Sequence, residues 1–283
     1  MKKMGAYFCS WRAGAFRKTR LNPAAFLARY RNFFSGVPLI FFFCLLWEIL
    51  PRIGVLNPIF FPPFSEVLLA LGALIHSGTL LKHIGSSLFR AMAGFLLAVL
   101  AAGPLGFLMG YSRKFERAAD LLVQTLRNVS QFALLPVFIM LFGIGEISKI
   151  GLTFYASVWH MLINTISGVK NVDPMLIRAA VSMRTSKKDL FWKIIMPASF
   201  PSVVAGMRLG GRSAMMAVIG AEMIAAKSGV GYFVQYSQLI YHFPDMYAGI
   251  IVLCFLGLVL NYFLVWIERR ATSWKIQNEE IKN

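Results

Sequence analysis

Polar and ionisable side chains within long apolar stretches are the residues of this sequence best placed to do chemistry. The six strongest candidates are Asn128, Gln131, His160, Asn164, Arg212 and Glu222. A charged group deep in a membrane costs roughly 2.5–3.5 kcal/mol, so such residues are typical of a path for a solute or an ion. A packing role stays open for His160, and Asn164 could instead bond to a neighbouring helix. The six residues predict a polar path in which Arg212 could attract an anion.

Other chemistry is poorly supported, because the residue patterns that it requires are absent from the sequence. There is no HExxH or CxxC motif, and the four histidines are scattered. The three cysteines are far apart and predict no disulfide framework. We therefore expect no metal site, no cofactor and no catalytic residue.

The composition indicates whether the chain folds in water or in a membrane. Of the 283 residues, 58% are hydrophobic and 14% are charged. A soluble domain would be about a quarter charged, and a single core could not bury so much apolar surface. The composition excludes a disordered chain and favours a membrane protein over a water-soluble enzyme.

Six apolar stretches, each near the ~20 residues needed to cross a bilayer, predict six helices, because backbone polar groups in lipid must bond internally. The stretches are 34–50, 86–110, 120–142, 147–169, 197–225 and 246–267. They lack the alternation of a transmembrane barrel. Glycines four residues apart, at 106 and 110 and at 206 and 210, predict close helix contacts. The expected fold is an all-α, polytopic six-helix bundle.

The basic residues predict an orientation for this bundle. There are 29 Lys and Arg against 12 Asp and Glu, a net charge of +17, and most basic residues fall on one side of the predicted spans. The positive-inside rule then places both termini in the cytoplasm. The predicted divisions are a basic cytoplasmic arm at 1–35, a transmembrane domain at 36–268 and a cytoplasmic tail at 269–283. The arm suits an anionic membrane surface better than nucleic acid, although a transit peptide stays open.

The loop 170–196, here called the hairpin, is the longest predicted cytoplasmic connection, and its pattern is helical. Asp173 suits a helix N-cap and Pro174 the first helical position. A second short helix is predicted over 187–195 with Leu190 and Phe191 on its apolar face, and Pro197 opens the next span. The two amphipathic helices could rest on lipid headgroups or dock into a protein groove.

The segment from Ile177 to Gly210 resembles the cytoplasmic EAA loop of ABC-importer permeases. That signature is Glu-Ala-Ala, three residues, Gly, about nine residues and an apolar-x-Leu-Pro. The matching residues are Ala179, Ala180, Ile195 and Pro197. Other stretches, in collinear order from about residue 50 to 270, resemble the nitrate/sulfonate/taurine branch of these permeases. They include Gly103-Pro104-Leu105-Gly106, Leu134-Leu135-Pro136, Phe142-Gly143-Ile144-Gly145-Glu146 and Gly229-Val230-Gly231-Tyr232.

The resemblance implies a multi-pass subunit of a bacterial inner membrane that imports a small solute such as a sulfonate, taurine or nitrate. The implied assembly contains two permease subunits, more readily a homodimer than a mixed pair, with a cytoplasmic ATPase dimer and an extracytoplasmic substrate-binding protein. ATP hydrolysis is expected in the partner, because this chain has no G-x-x-x-x-G-K-[ST] loop and is not expected to be an enzyme. The residues assigned to ATPase coupling are Asp173, Pro174, Arg178, Ala179, Ala180, Met183, Arg184, Leu190, Phe191 and Pro197.

Some residues depart from the family pattern. Arg178 stands at the position of the Glu, and Arg184 at that of the Gly. Because glycine at such a junction supplies a left-handed backbone, Arg184 predicts a different junction or a longer first helix. The family often has prolines in the third span, where this chain has Asn128, Ser130 and Gln131, and one in the fourth, where it has His160. Their loss predicts straighter helices. Two alternatives stay open, a secondary transporter or channel that needs no ATPase and a degenerate, non-transporting partner subunit.

Overall fold

The computed structural model describes the backbone of residues 23–280 and the side chains of residues 38–270. Most of the predicted basic arm and the last three residues of the tail lie outside this range. All regular elements in the described range are helices. They are α1 Pro23–Arg52, α2 Phe64–His76, α3 Thr79–Tyr111, α4 Arg113–Arg127, α5 Gln131–Phe142, α6 Glu146–Lys170, α7 Pro174–Ser182, α8 Lys187–Leu190, α9 Met196–Ala225, α10 Val230–Leu239 and α11 Phe243–Glu280. A π-helical turn, Phe191–Ile195, joins α8 to α9.

The chain forms two compact units that divide after Phe64. In the first unit, α1 contains the predicted span 34–50 and begins earlier, at Pro23. Trp47 donates from its indole nitrogen to the carbonyl oxygen of Pro62 at 3.1 Å, and its ring lies 5.4 Å from that of Phe61. These contacts hold the segment after α1 against the helix.

The second unit is built around α3, α6 and α9, which pack through small residues. A Cβ atom added at Gly106 would lie 2.6 Å from the Cβ atom of Thr165, and one at Gly210 would lie 2.7 Å from the side chain of Met161. Larger residues at these glycines would separate the helices. The predicted close contacts are therefore confirmed. The core around them contains Ala98, Ala102, Met109, Val123, Val158, Met161 and Leu162.

Three described helical runs are long and apolar enough to cross a membrane, namely Thr79–Tyr111, Lys187–Leu239 and Phe243–Arg270. A fourth is obtained if α4 and α5 are counted as one broken span. The predicted continuous span 120–142 is wrong, because these two helices meet at a bend of 97°. The loss of proline was expected to straighten this region. Instead the side chain of Asn128 donates to the carbonyl oxygen of Gln124 at 2.7 Å, and such local bonds compete with helix continuation.

Two short helices, α2 and α10, lie between the predicted spans and were not predicted. They contain 13 and 10 residues. Both helices are shorter than the apolar stretches of about 20 residues from which the spans were predicted. By contrast, α6 runs without a break through His160.

Candidate functional site

The hairpin begins as the sequence predicts. The side chain of Asp173 accepts a hydrogen bond from the backbone N–H of Met175 at 2.8 Å, and α7 starts at Pro174. Proline suits this position because its missing N–H would have no partner in the first turn. The predicted cap and helix start are confirmed.

The second half of the hairpin is not a separate helix. The α8 helix, capped by the side chain of Ser186, continues through the π-helical turn into α9. Pro197 lies in the first turn of α9, as predicted, but it does not separate the short helix from the span. In a regular α-helix the proline ring would clash with the carbonyl group four residues earlier. The wider π-helical turn just before Pro197 changes that hydrogen-bond pattern. The hairpin is therefore continuous with a membrane helix.

Arg184 adopts the backbone conformation that glycine normally supplies. Its φ angle is 53°, in the left-handed region. Its N–H donates to the carbonyl oxygen of Val181 at 2.9 Å, and that of Thr185 donates to Ala180 at 3.1 Å. This pair of bonds is a Schellman motif, which closes the C-terminus of α7. The expected different junction or longer helix is wrong, because these bonds hold arginine in the left-handed conformation at a cost of about 1–2 kcal/mol.

The residues assigned to coupling fall into two sets. Asp173, Pro174, Arg178, Ala179, Met183, Arg184 and Pro197 are exposed. Ala180 is buried, while Leu190 and Phe191 are half-buried against the buried residues of this end. The ring of Phe191 lies 5.6 Å from that of Phe107 and 5.8 Å from that of Tyr111, both on α3. The second set therefore anchors the hairpin to its own chain, and the first set presents its free surface.

Two of the candidate path residues meet in one cavity. A space of about 310 Å³ lies between the bend of α4–α5 and α6, and both Gln131 and His160 line it. Arg127, Tyr155 and Trp159 complete its polar and aromatic wall. The hydroxyl of Tyr155 donates to the carbonyl oxygen of Leu126, which ties α6 to the bend. The cavity thus combines a cation with hydrogen-bonding groups and aromatic rings.

The other candidates lie around this cavity or away from it. Asn128 caps α4 outside it. Asn164 lies one turn beyond His160 and donates to its carbonyl oxygen at 2.7 Å. Arg212 donates from Nε to the side-chain oxygen of Asn261 on α11 at 3.1 Å, although its neighbour Ser213 lies 3.4 Å from Nδ1 of His160. These three residues keep their predicted path role only as a hypothesis.

Glu222 lies apart from the cavity, at the buried centre of an ionic network. It has 0% exposure, and Nη1 of Arg90 donates to its Oε1 at 2.6 Å. The hydroxyl of Ser87 donates to both carboxylate oxygens, at 2.7 and 2.9 Å, and the N–H of Gly231 donates at 3.0 Å. Its burial leaves no surface for a passing solute, which argues against a path role.

Arg90 connects this network to two further segments. Its Nε and Nη2 donate to the two carboxylate oxygens of Glu146, at 2.5 and 2.8 Å. It also donates to the carbonyl oxygen of Ser228 at 2.6 Å and to its hydroxyl at 2.8 Å. We refer to Ser87, Arg90, Glu146, Glu222 and Ser228 as the ionic network. It joins α3, the first turn of α6, α9 and the loop before α10.

Arg90, which makes most of the contacts of the ionic network, was not among the residues that the sequence singled out. Arg90 and Glu222 have opposite charges and both lie within predicted spans. Because an unpaired charge is unfavourable at that depth, their joint presence was a signal for pairing. No spacing rule links residues 90 and 222, so the sequence did not indicate which acidic residue pairs with Arg90.

Comparisons with known proteins identify relatives over most of the chain. The profile of the family described as "Binding-protein-dependent transport system inner membrane component" matches residues 94–273. A putative ABC transporter permease of Methanocaldococcus jannaschii is 36% identical, over 81% of this chain and 88% of its own length. The taurine transport system permease protein TauC of Escherichia coli K12 is 32% identical, over 81% of this chain and 85% of its own.

A more distant relative covers more of the chain. The bicarbonate transport system permease protein CmpB of Synechococcus elongatus is 27% identical, over 93% of this chain and 98% of its own. Among solved structures, the inward-facing MetNI methionine ABC transporter superposes with a TM-score of 0.62 at 16% identity, covering 70% of this chain and 98% of the matched chain. This last likeness concerns the fold alone.

Proposed function

This chain belongs to the family of binding-protein-dependent inner-membrane transport components. From that premise we propose that it carries a small anion through the cavity beside Gln131 and His160. It is the permease subunit of an ABC importer, located in the inner membrane. Membership of this family supports an ATP-driven importer over a secondary transporter or a non-transporting partner. The resemblance to the nitrate/sulfonate/taurine branch is confirmed.

The composition of the cavity carries the proposal for the solute. Arg127 supplies a positive charge, Gln131 supplies an amide group that can donate, and the imidazole of His160 lies beside them. A sulfonate or carboxylate group binds best where charge-assisted hydrogen bonds replace its hydration shell. Relatives named for aliphatic sulfonates, taurine and bicarbonate handle compounds with these groups. We assign the solute to the class of small oxyanions.

The proposed arrangement in the membrane has six spans and both termini in the cytoplasm. The hairpin then lies on the cytoplasmic side, where the exposed face of α7 would enter a groove of the ATPase. Met175 and Met183, 74% and 73% exposed, are the most exposed apolar side chains there. Flexible methionine side chains suit a contact that must persist while the partner moves. A homodimer of this chain would supply two such hairpins.

The continuity of the hairpin with α9 suggests how ATP-driven motion reaches the cavity. The hairpin lies between the end of α6 and the beginning of α9, and α6 bears His160. A rigid-body displacement of this helix pair would move one wall of the cavity relative to the bend of α4–α5. Alternating access by such movements between two packed arrangements requires no chemical step in the permease.

The proposed function is tested in proteoliposomes that contain the permease, its ATPase and its binding protein. Arg127→Gln is expected to reduce solute uptake by about tenfold to a hundredfold, because a charged hydrogen bond contributes about 1.5–3 kcal/mol. ATP hydrolysis stimulated by the binding protein should persist. Arg117→Gln, the same substitution at an exposed arginine of α4 outside the cavity, is the matched control. Equal uptake by the Arg127 and Arg117 variants would contradict the proposed path.

Docking of the hairpin is tested separately by cysteine crosslinking. In a variant that lacks the native cysteines, Met183→Cys is expected to crosslink to the ATPase in the assembled complex. Leu121→Cys, whose side chain position is 78% exposed on α4, serves as the control. Crosslinks from position 121 with none from 183 would show that the ATPase docks elsewhere.

A further inference from the structure

An open groove lies beside the anchored half of the hairpin. It has a volume of about 730 Å³ and runs between the last turns of α3 and the π-helical turn. Pro104, Phe107 and Tyr111 line one wall, and Phe191 and Trp192 line the other. Both walls are irregular helices. In the first wall, Pro104 removes one backbone hydrogen bond of α3, and the second wall is widened by the π-helical turn. The groove is thus a built feature of this junction.

Two lysines belong to the lining of this apolar groove. Lys187 and Lys188 line it and are exposed. Within the described side chains, 38–270, Lys193 pairs with Asp189 at 2.7 Å, whereas neither Lys187 nor Lys188 forms an ion pair. The groove therefore combines an apolar trough with two cations that no acidic side chain in the described part of the chain neutralises.

We propose that this groove binds an anionic phospholipid, with an acyl chain along the aromatic walls and the phosphate between Lys187 and Lys188. The inference rests on the proposed arrangement only in that the hairpin end must lie at the headgroup level. The exposed indole of Trp192 and the ring of Tyr111 suit that level, where aromatic residues concentrate. Basic pockets between membrane helices on the cytoplasmic side are typical of such headgroups.

The chemistry of the groove favours a lipid over a protein segment. An extended peptide would require hydrogen-bond partners for its backbone, and these walls offer few polar groups. A second copy of the chain has only 12 acidic residues against 29 basic ones, so it offers few carboxylates for the two lysines. A phospholipid has an apolar chain that needs no hydrogen bonds and a headgroup that neutralises both cations.

Binding is measured by native mass spectrometry of the full chain, purified in detergent without ATPase or binding protein. Phosphatidylglycerol and phosphatidylcholine with the same acyl chains are titrated separately. The wild-type chain is expected to prefer phosphatidylglycerol, and Lys187→Glu with Lys188→Glu should weaken its binding by at least about tenfold. The matched control is Lys82→Glu with Lys227→Glu, which makes the same charge change at two exposed lysines near the opposite end of α3.

A second variant blocks the groove without altering charge. A Cβ atom added at Gly103 meets no heavy atom within 4 Å, so Gly103→Leu should fill the groove without a clash. Loss of both lipids in this variant would support the proposal. Equal affinity of the wild type for the two lipids, or equal effects of the two lysine pairs, would overturn it. A change from dimer to monomer in the Gly103 variant, with lipid binding unchanged, would instead assign the groove to a second copy. Because no ATPase is present, these outcomes are independent of the proposed transport function.

Discussion

The two ends of the α6–α9 helix pair are built in opposite ways. At one end the ionic network buries Arg90 and Glu222 almost completely and satisfies them with short hydrogen bonds. At the other end the hairpin exposes its charges, including Arg178 and Arg184. Buried, paired charges fix a single arrangement, whereas exposed charges tolerate several. The comparison indicates that the pair is fixed by buried ion pairs at the network end, whereas the hairpin end is anchored by apolar contacts and presents its charges to a partner.

The largest expected effect comes from breaking the network. Arg90→Met leaves Glu222 buried without its cation, which should lower the free energy of unfolding by about 3–5 kcal/mol. The measurement is thermal unfolding of the purified chain in detergent. The double variant Arg90→Met with Glu222→Leu should recover much of this loss, since replacing both partners removes the unpaired charge. No recovery in the double variant would show that the network does more than pair these two charges.

A smaller loss of stability is expected for a substitution midway between the two ends. Gly106→Leu forces a side chain against Thr165 on α6 and should destabilise the chain by about 1–3 kcal/mol. Gly103→Leu, one turn away and facing open space, is the control and should leave the unfolding midpoint near that of the wild type. Equal losses at the two positions would contradict the close contact between α3 and α6.

At the hairpin end we expect a gain in stability. Arg184→Gly relieves the left-handed arginine and should stabilise the closing turn of α7 by about 1 kcal/mol. Arg178→Gly, in the middle of the same helix, should instead destabilise it by a similar amount. Protection of the α7 amides in hydrogen exchange distinguishes the two. A loss of protection in the Arg184 variant would mean that its side chain makes a stabilising contact.

The smallest effect should come from the exposed pair of Asp189 and Lys193. Lys193→Ala removes an ion pair of 2.7 Å whose lysine side chain is 75% exposed. Exposed pairs contribute little, so the unfolding midpoint should not move measurably. A shift comparable to that of the Arg90 variant would remove the distinction between the two ends.

The parts of the fold that follow from local pattern could be predicted from the sequence. The cap and start of α7 depend on adjacent residues, Asp173 and Pro174, and the close contacts depend on glycine spacing within one helix. The ionic network could not be predicted, because Arg90, Glu146 and Glu222 meet only after three helices pack. The bend before Gln131 was missed because it depends on local bonds of Asn128 that compete with the helix, and apolar content does not reveal them.

The candidate site was predictable to a similar extent. Gln131 and His160 were identified from their depth in apolar stretches, and one cavity contains both. Glu222 met the same criterion but is buried and paired with Arg90, and depth alone does not distinguish a lining residue from a paired one. The conformation of Arg184 shows a further limit. Hydrogen bonds that close a helix can impose a backbone geometry that the residue type disfavours.

The buried carboxylate of Glu222 also has a consequence for the order of assembly. It bonds to the N–H of Gly231 in the first turn of α10, and a side chain at Gly229 would collide with it. With 10 residues, α10 is too short to cross a bilayer alone. Its docking site needs Ser87 from α3 and Glu222 from α9 together, and the N–H of Val230 donates to the hydroxyl of Ser87 at 2.9 Å. We therefore expect α10 to settle late during biogenesis, after the longer helices on either side of it have been inserted and have met.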